Sequence, residues 1–312
     1  MEERPIVPSP SAAAIEPQVS PADAPSEEST TMPKQAKRSP KKTQRPPKKT
    51  QLSRSFLHSA AADHVAAAVA AATFTQRGTT ANFVVSFAGS LGASGPVLAD
   101  AVLATCEADF NRLQGWFGNI AIADLPFQVF IQPGRNGASH ATCAATALSC
   151  DAFDGTDADL VRSLVVAEAD EVFMANQAAG WDCGGSNGEA LSRVLAAEIY
   201  PNELMPPGLG VTFASAEFWL ESDRPDFVNN TDPTDRNFVS IGCGALFINF
   251  LRFQLGYGLD QIVQAAGATL GETYQTLTGQ TDGFEQLSSL LATQYPPGQG
   301  PYGLSNDNPF PI

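Results

Sequence analysis

From Asn82 onward the chain moves between two apolar rhythms. "NFVVSFAG" (82–89) is a β-branched and aromatic run closed by glycine, which predicts a strand. "GPVLADAVLATCEADFNRLQGWFG" (95–118) spaces Val102, Leu103, Cys106, Phe110, Leu113 and Phe117 by threes and fours, with proline near its start and glycine at its end, and predicts a helix. "LPFQVFIQPG" (125–134) predicts a second strand, and "ASHATCAATALSCDAF" (138–153) an edge strand or hairpin. "DGTDADLVRSLVVAEADEVFMANQAAG" (154–180) then carries a long helix. Thr156 and Asp159 form its expected capping box, and Gly180 supplies its left-handed stop.

After this the pattern is helical. "SNGEALSRVLAAEIY" (186–200) ends at Pro201, and "NFVSIGCGALFINFLRFQLG" (237–256) is apolar on nearly every side, the mark of a central buried helix. "LDQIVQAAG", "TLGETYQTLTG" and "GFEQLSSLLATQYP" follow as short helices separated by glycine. The expected fold class is α+β: a small β-sheet lobe with a long helix, then a mainly helical lobe. Residues 1–54 are expected to be a disordered basic tail, 55–180 the α/β upper lobe, opened by an alanine-rich helix over about 55–73, and 181–312 the helical lower lobe.

Charge sharpens the division. Residues 1–54 hold 10 of the 18 Lys+Arg and 6 of the 33 Asp+Glu, which leaves 8 basic against 27 acidic side chains for the rest, and no lysine follows Lys49. The first segment is rich in Pro, Ser, Ala and Lys, repeats the unit P-K-K-T-Q, and has too little apolar surface to offset its chain entropy. A body that acidic has no evident affinity for nucleic acid and suits a cationic ligand such as Ca²⁺. No stretch of 18 apolar residues suggests a transmembrane helix, and "MEERPIVPSP" is not a standard signal peptide. The five cysteines are Cys106, Cys143, Cys150, Cys183 and Cys243. The C-x₆-C spacing of Cys143 and Cys150 is compatible with a local disulfide, buried thiols being the alternative; Cys183 is read as a disulfide or a buried thiol rather than a nucleophile.

Candidate chemistry gathers in "VVAEADEVFM" (165–174). At about 100° per residue, Glu168 and Glu171 stand about 60° apart on one helix stripe, bordered by Leu160, Leu164, Ala167 and Val172. Carboxylates beside a core stripe must be paired, metal-bound or protonated. Glu189 follows 18 residues after Glu171 on the next helix, where it also fits an S-x-x-E capping box and an i,i+4 pair with Arg193. Arg193 and Arg162 are the partners available to Glu168 and Glu171. Asp151, Asp154, Asp157 and Asp159 cluster around one glycine as a calcium candidate, with helix capping and turns as the alternative.

This arrangement resembles the glutamate-zincin peptidases, the thermolysin-like and related families. Their H-E-x-x-H helix is followed by a second helix that donates a glutamate. The matching phrases here are Ala167-Glu168-x-x-Glu171 and Gly188-Glu189-Ala190-Leu191-Ser192, and "SIGCGALFINFLRFQLG" is similar to a later buried helix of that group. The strand-helix-strand-edge-strand order over roughly 80–295 is similar too. The resemblance implies a zincin-like fold, Glu168 as general base, Glu171 and Glu189 as ligands of zinc or a harder divalent ion, and a peptide or protein ligand. It is compatible with secretion, and export stays open. Ala167 cannot bind metal and Glu171 replaces an imidazole, so His140 on the edge strand is the one histidine placed to lend nitrogen. Two functions follow: a non-catalytic or atypical relative that keeps a carboxylate-lined cleft for binding, or a metal-dependent hydrolase.

Overall fold

The computed structural model describes residues 73–135, 137–201, 214–298, 300, 304 and 310. The tail expected over 1–54 and nearly all of the helix expected over 55–73 lie outside the described residues. Five strands form one mixed sheet: β1 (Phe74–Thr79), β2 (Phe83–Ala88), β3 (Phe127–Pro133), β4 (Ala138–His140) and β5 (Ala147–Ala152). Their order across the sheet is β1-β2-β3-β5-β4. The inner pairs β2–β3 and β3–β5 are parallel, while both edge strands run antiparallel to their neighbours.

Helix α1 (Ser94–Trp116) is the crossover between parallel β2 and β3. The chain then leaves β3, passes the place that β5 will fill, forms the three-residue edge β4, and turns back as β5. A hairpin therefore occupies 138–152, in agreement with the sequence pattern. Alternate residues Phe127, Val129 and Ile131 of β3 are fully buried, with Phe83 and Val85 on β2 and Leu148, Cys150 and Ala152 on β5. Period-two burial of this kind is what a sheet covered by helices on one face requires.

Helix α2 (Ala158–Gln177) lies on that sheet beside α1, where Phe173 meets Phe110 and Phe117 with ring centroids 5.4 and 5.3 Å away. Every residue from Ser163 to Met174 is buried. The helix is thus enclosed rather than amphipathic, packed between α1, the sheet and α3 (Ser186–Ile199). Next come α4 (Ala214–Leu220), α5 (Phe238–Phe253), α6 (Leu259–Gln264), α7 (Leu270–Thr278) and α8 (Gly283–Gln294). Helix α5 is buried from Ser240 to Leu251, as an all-round apolar helix must be. Buried residues from Phe83 to Phe310 join in one core, so the two lobes share their interior. The architecture is α+β. Among the described residues no helix is long and apolar enough to cross a membrane.

Several local expectations need correction. Strand β1 and helix α4 were not foreseen. The cap of α2 is Asp157, whose side chain accepts from the Asp159 amide, whereas the Thr156 hydroxyl accepts from Phe153 N. The helix ends with Ala178 in the left-handed conformation (φ 52°), two residues before Gly180. Ser186 is the first residue inside α3, not its cap; Gly185 holds that place, and the Ser186 hydroxyl accepts from Asp232 N at 3.0 Å.

Candidate ligand site at the edge of the sheet

Four elements bring polar side chains to one place. The middle turn of α2 offers Glu168 and Glu171, the edge strand β4 offers His140, the first turn of α3 offers Glu189 and then Arg193, and the loop before α3 offers Cys183. His140 Nε2 lies 2.8 Å from Glu171 Oε2 and 3.8 Å from Glu168 Oε2. Arg193 Nη2 donates to Glu189 Oε2 at 3.1 Å. These carboxylates are nearly closed off from solvent: 12% of the Glu168 side chain, 8% of Glu171 and 15% of Glu189 remain exposed.

Low solvation decides the electrostatics. Burial pushes the Glu168 carboxyl well above its ordinary range, Glu171 adds to this, and His140 opposes it. Glu171 is raised by burial and then by Glu189, against Arg193 and the Ser192 hydroxyl. Glu189 is raised by burial, with Arg193 opposing. Three acidic groups thus act on one another across a poorly hydrated space, and the cations facing them are Arg193 and, when protonated, His140. Two ring or guanidinium nitrogens there are left over: His140 Nδ1 and Arg193 Nε are buried without a hydrogen-bond partner among the described residues.

The expected residues divide cleanly. Glu168, Glu171, Glu189 and His140 meet, and Glu189 makes the i,i+4 pair with Arg193 that its spacing implied. Arg162 does not join them; it pairs with Asp159 and donates to the Ala101 carbonyl. The calcium candidates take separate local roles. Asp151 accepts from Gln132 Nε2 at 3.1 Å, Asp154 accepts from Ser94 Oγ at 2.9 Å, Asp157 caps α2, and Asp159 holds Arg162. Among the described residues, the one group of three ligand-type side chains whose donor atoms lie within 4.8 Å of one another is His140, Glu171 and Cys183.

The disulfide expected between Cys143 and Cys150 is not formed. Cys143, on the turn between β4 and β5, is bonded to Cys183, 40 residues on. Cys150 points from β5 into the core and is fully buried, out of reach of a partner on the turn. Cys106 and Cys243 are also free and buried. The bridge ties the hairpin that bears His140 to the loop that leads into Glu189.

The sequence pattern gave no notice of Asp170. It is fully buried, both carboxylate oxygens lack a hydrogen bond among the described residues, and burial followed by Glu171 and Glu168 raises its carboxyl well above the ordinary value. The signal was missed because a carboxylate opposite Glu168 would face water on an amphipathic helix, and α2 has no watered face at that level.

No family model, no curated protein and no solved structure matches this chain.

Proposed function

We propose that the chain is a non-catalytic or atypical relative of the zinc-dependent peptidases, a zincin-like domain whose carboxylate-lined hollow binds a peptide or protein ligand through a basic group. The observation that carries this reading is the state of Glu168. It is partly accessible, sits among like charges, and accepts no hydrogen bond among the described residues, its nearest basic atom being His140 Nε2 at 3.8 Å. A buried carboxylate without a donor costs free energy that an incoming ammonium or guanidinium would recover. The sheet order, with an antiparallel edge strand beside the motif helix, supports the resemblance on which the reading leans.

A metal-dependent hydrolase is the second reading, favoured by the nitrogen of His140 arriving beside Glu171. A peptidase zinc takes three protein donors and leaves a position open. His140 and Glu171 supply two. Glu189 is engaged by Arg193, and the Cys183 sulfur, the third atom within reach, is spent in a disulfide. The disulfide-bonded form does not fit a peptidase zinc, and no hydrolytic step is derived for it.

Calorimetric titration with a panel of short peptides tests the choice. Lysine- or arginine-bearing peptides should bind, their acetylated or acidic counterparts should not, and Glu168→Gln should weaken binding at least tenfold. Zinc-stimulated cleavage of the same peptides by the wild type, lost in Glu168→Gln, would replace binding by hydrolysis.

A further inference from the structure

We propose that reduction of the Cys143–Cys183 disulfide turns the hollow into a binding site for a zinc-type divalent ion, held by His140, Glu171 and the freed Cys183 thiolate. The three donor atoms come from three elements: edge strand β4, the centre of α2 and the loop before α3. They already lie within 4.8 Å of one another. A disulfide sulfur is uncharged and a poor donor, while a thiolate is a strong ligand for zinc. His140 is the second sign that the place is built for a ligand. Its side chain is 7% exposed, and its Nδ1 is buried with no partner among the described residues.

Access favours release on the correct side. Cys183 is buried, whereas Cys143 is half-buried on a turn flanked by the exposed residues Ala141, Thr142 and Ala144. A dithiol reductant attacks Cys143 Sγ, the sulfur–sulfur bond breaks, and Cys183 leaves as the thiolate. The second thiol of the reductant then resolves the mixed disulfide, so the reductant departs oxidised by two electrons and Cys143 takes a proton. Binding of the ion needs Cys183 as thiolate and replaces the direct His140–Glu171 contact by bonds of each to the ion. One thiolate and one carboxylate neutralise a dication, which suits a space this poor in water. The mixed nitrogen, oxygen and sulfur set favours zinc over calcium or magnesium. The inference stands apart from peptide binding, since it concerns the reduced protein and its readout is metal.

The test compares two variants of the full chain that both lack the bridge. Cys143→Ser leaves Cys183 free, and Cys183→Ser leaves Cys143 free. In zinc titrations against a chromogenic chelator, Cys143→Ser should take up one ion at least a hundredfold tighter than Cys183→Ser or the oxidised wild type. Cobalt(II) should give a thiolate charge-transfer absorption with Cys143→Ser alone, and adding His140→Ala to it should weaken zinc binding at least tenfold. If Cys143→Ser folds only when zinc is added and Cys183→Ser does not, the result is the same. Equal zinc affinity in the two variants, or a Cys143→Ser protein that neither binds zinc nor folds with it, overturns the proposal.

Discussion

His140 Nε2 and Glu171 Oε2 are 2.8 Å apart although 31 residues of chain separate them, and this contact joins the sheet edge to the centre of α2. Removing one partner leaves the other buried and unmatched, a loss of about 1–3 kcal/mol. A double-mutant cycle of His140→Ala and Glu171→Ala in urea should therefore return a coupling of about that size. A coupling near zero would mean that the pair is not formed in solution.

Glu168 makes stability depend on pH in a direction opposite to a salt-bridged carboxylate. Its native carboxyl is held above the ordinary range by burial first and Glu171 next, so the folded state binds a proton more tightly than the unfolded chain does. That contribution is complete below the unfolded value, about pH 4, and is lost as pH rises through the raised native value. Glu168→Gln imitates the protonated form. Its urea midpoint should match the wild type near pH 4 and exceed it increasingly toward neutrality; parallel curves would show that the group titrates normally.

Asp170 is the simplest target for stabilisation. It is fully buried, unmatched among the described residues, and raised well above its ordinary value. Asp170→Leu replaces it with an apolar group of comparable length and should gain about 1–3 kcal/mol at neutral pH. Thermal and urea unfolding would read the gain. A loss would reveal a buried water or polar partner that the carboxyl serves.

Glycines on two helices should respond with opposite sign. A Cβ at Gly188 in α3 would meet backbone atoms of the preceding loop, 2.2 Å from Asp182 O and 2.8 Å from Cys183 N. Gly188→Ala should cost about 1–3 kcal/mol through that overlap, despite better helix propensity. At Gly115 in α1 nothing lies within 4 Å, and Gly115→Ala should instead gain up to about 1 kcal/mol. Measuring both separates local propensity from the packing of α3 on its loop.

What could be read in advance follows from what each element presents. Strands β2 and β3 and helices α1 to α3 were legible from apolar runs and spacing, α5 from being apolar all round, and the hairpin from a looser alternation. Strand β1, "FTQRGT", has no alternation, lies exposed at a sheet edge, and slips register between Gln76 and Gly78. Helix α4 spans only seven residues. Within the site, the two helix carboxylates and Glu189 were legible because 3.6-residue geometry is local. His140 could be set on the edge strand, but its contact with Glu171 could not be read, since that depends on β4 lying outside β5. The bridge to Cys183 was beyond reach for the same reason: spacing favoured Cys150, and only the sheet shows Cys150 turned inward.

Helix α2 lies wholly between the two bonded cysteines, and this orders assembly. In a chain lengthening toward its C-terminus, Cys106, Cys143 and Cys150 all precede Cys183, so every pairing open before Cys183 is a wrong one. Cys150 in the β3–β5 ladder is fully buried, so with that strand in place its thiol is not open to oxidation. The ladder thereby withholds the competing thiol, and Cys143 is left as the accessible sulfur of the hairpin.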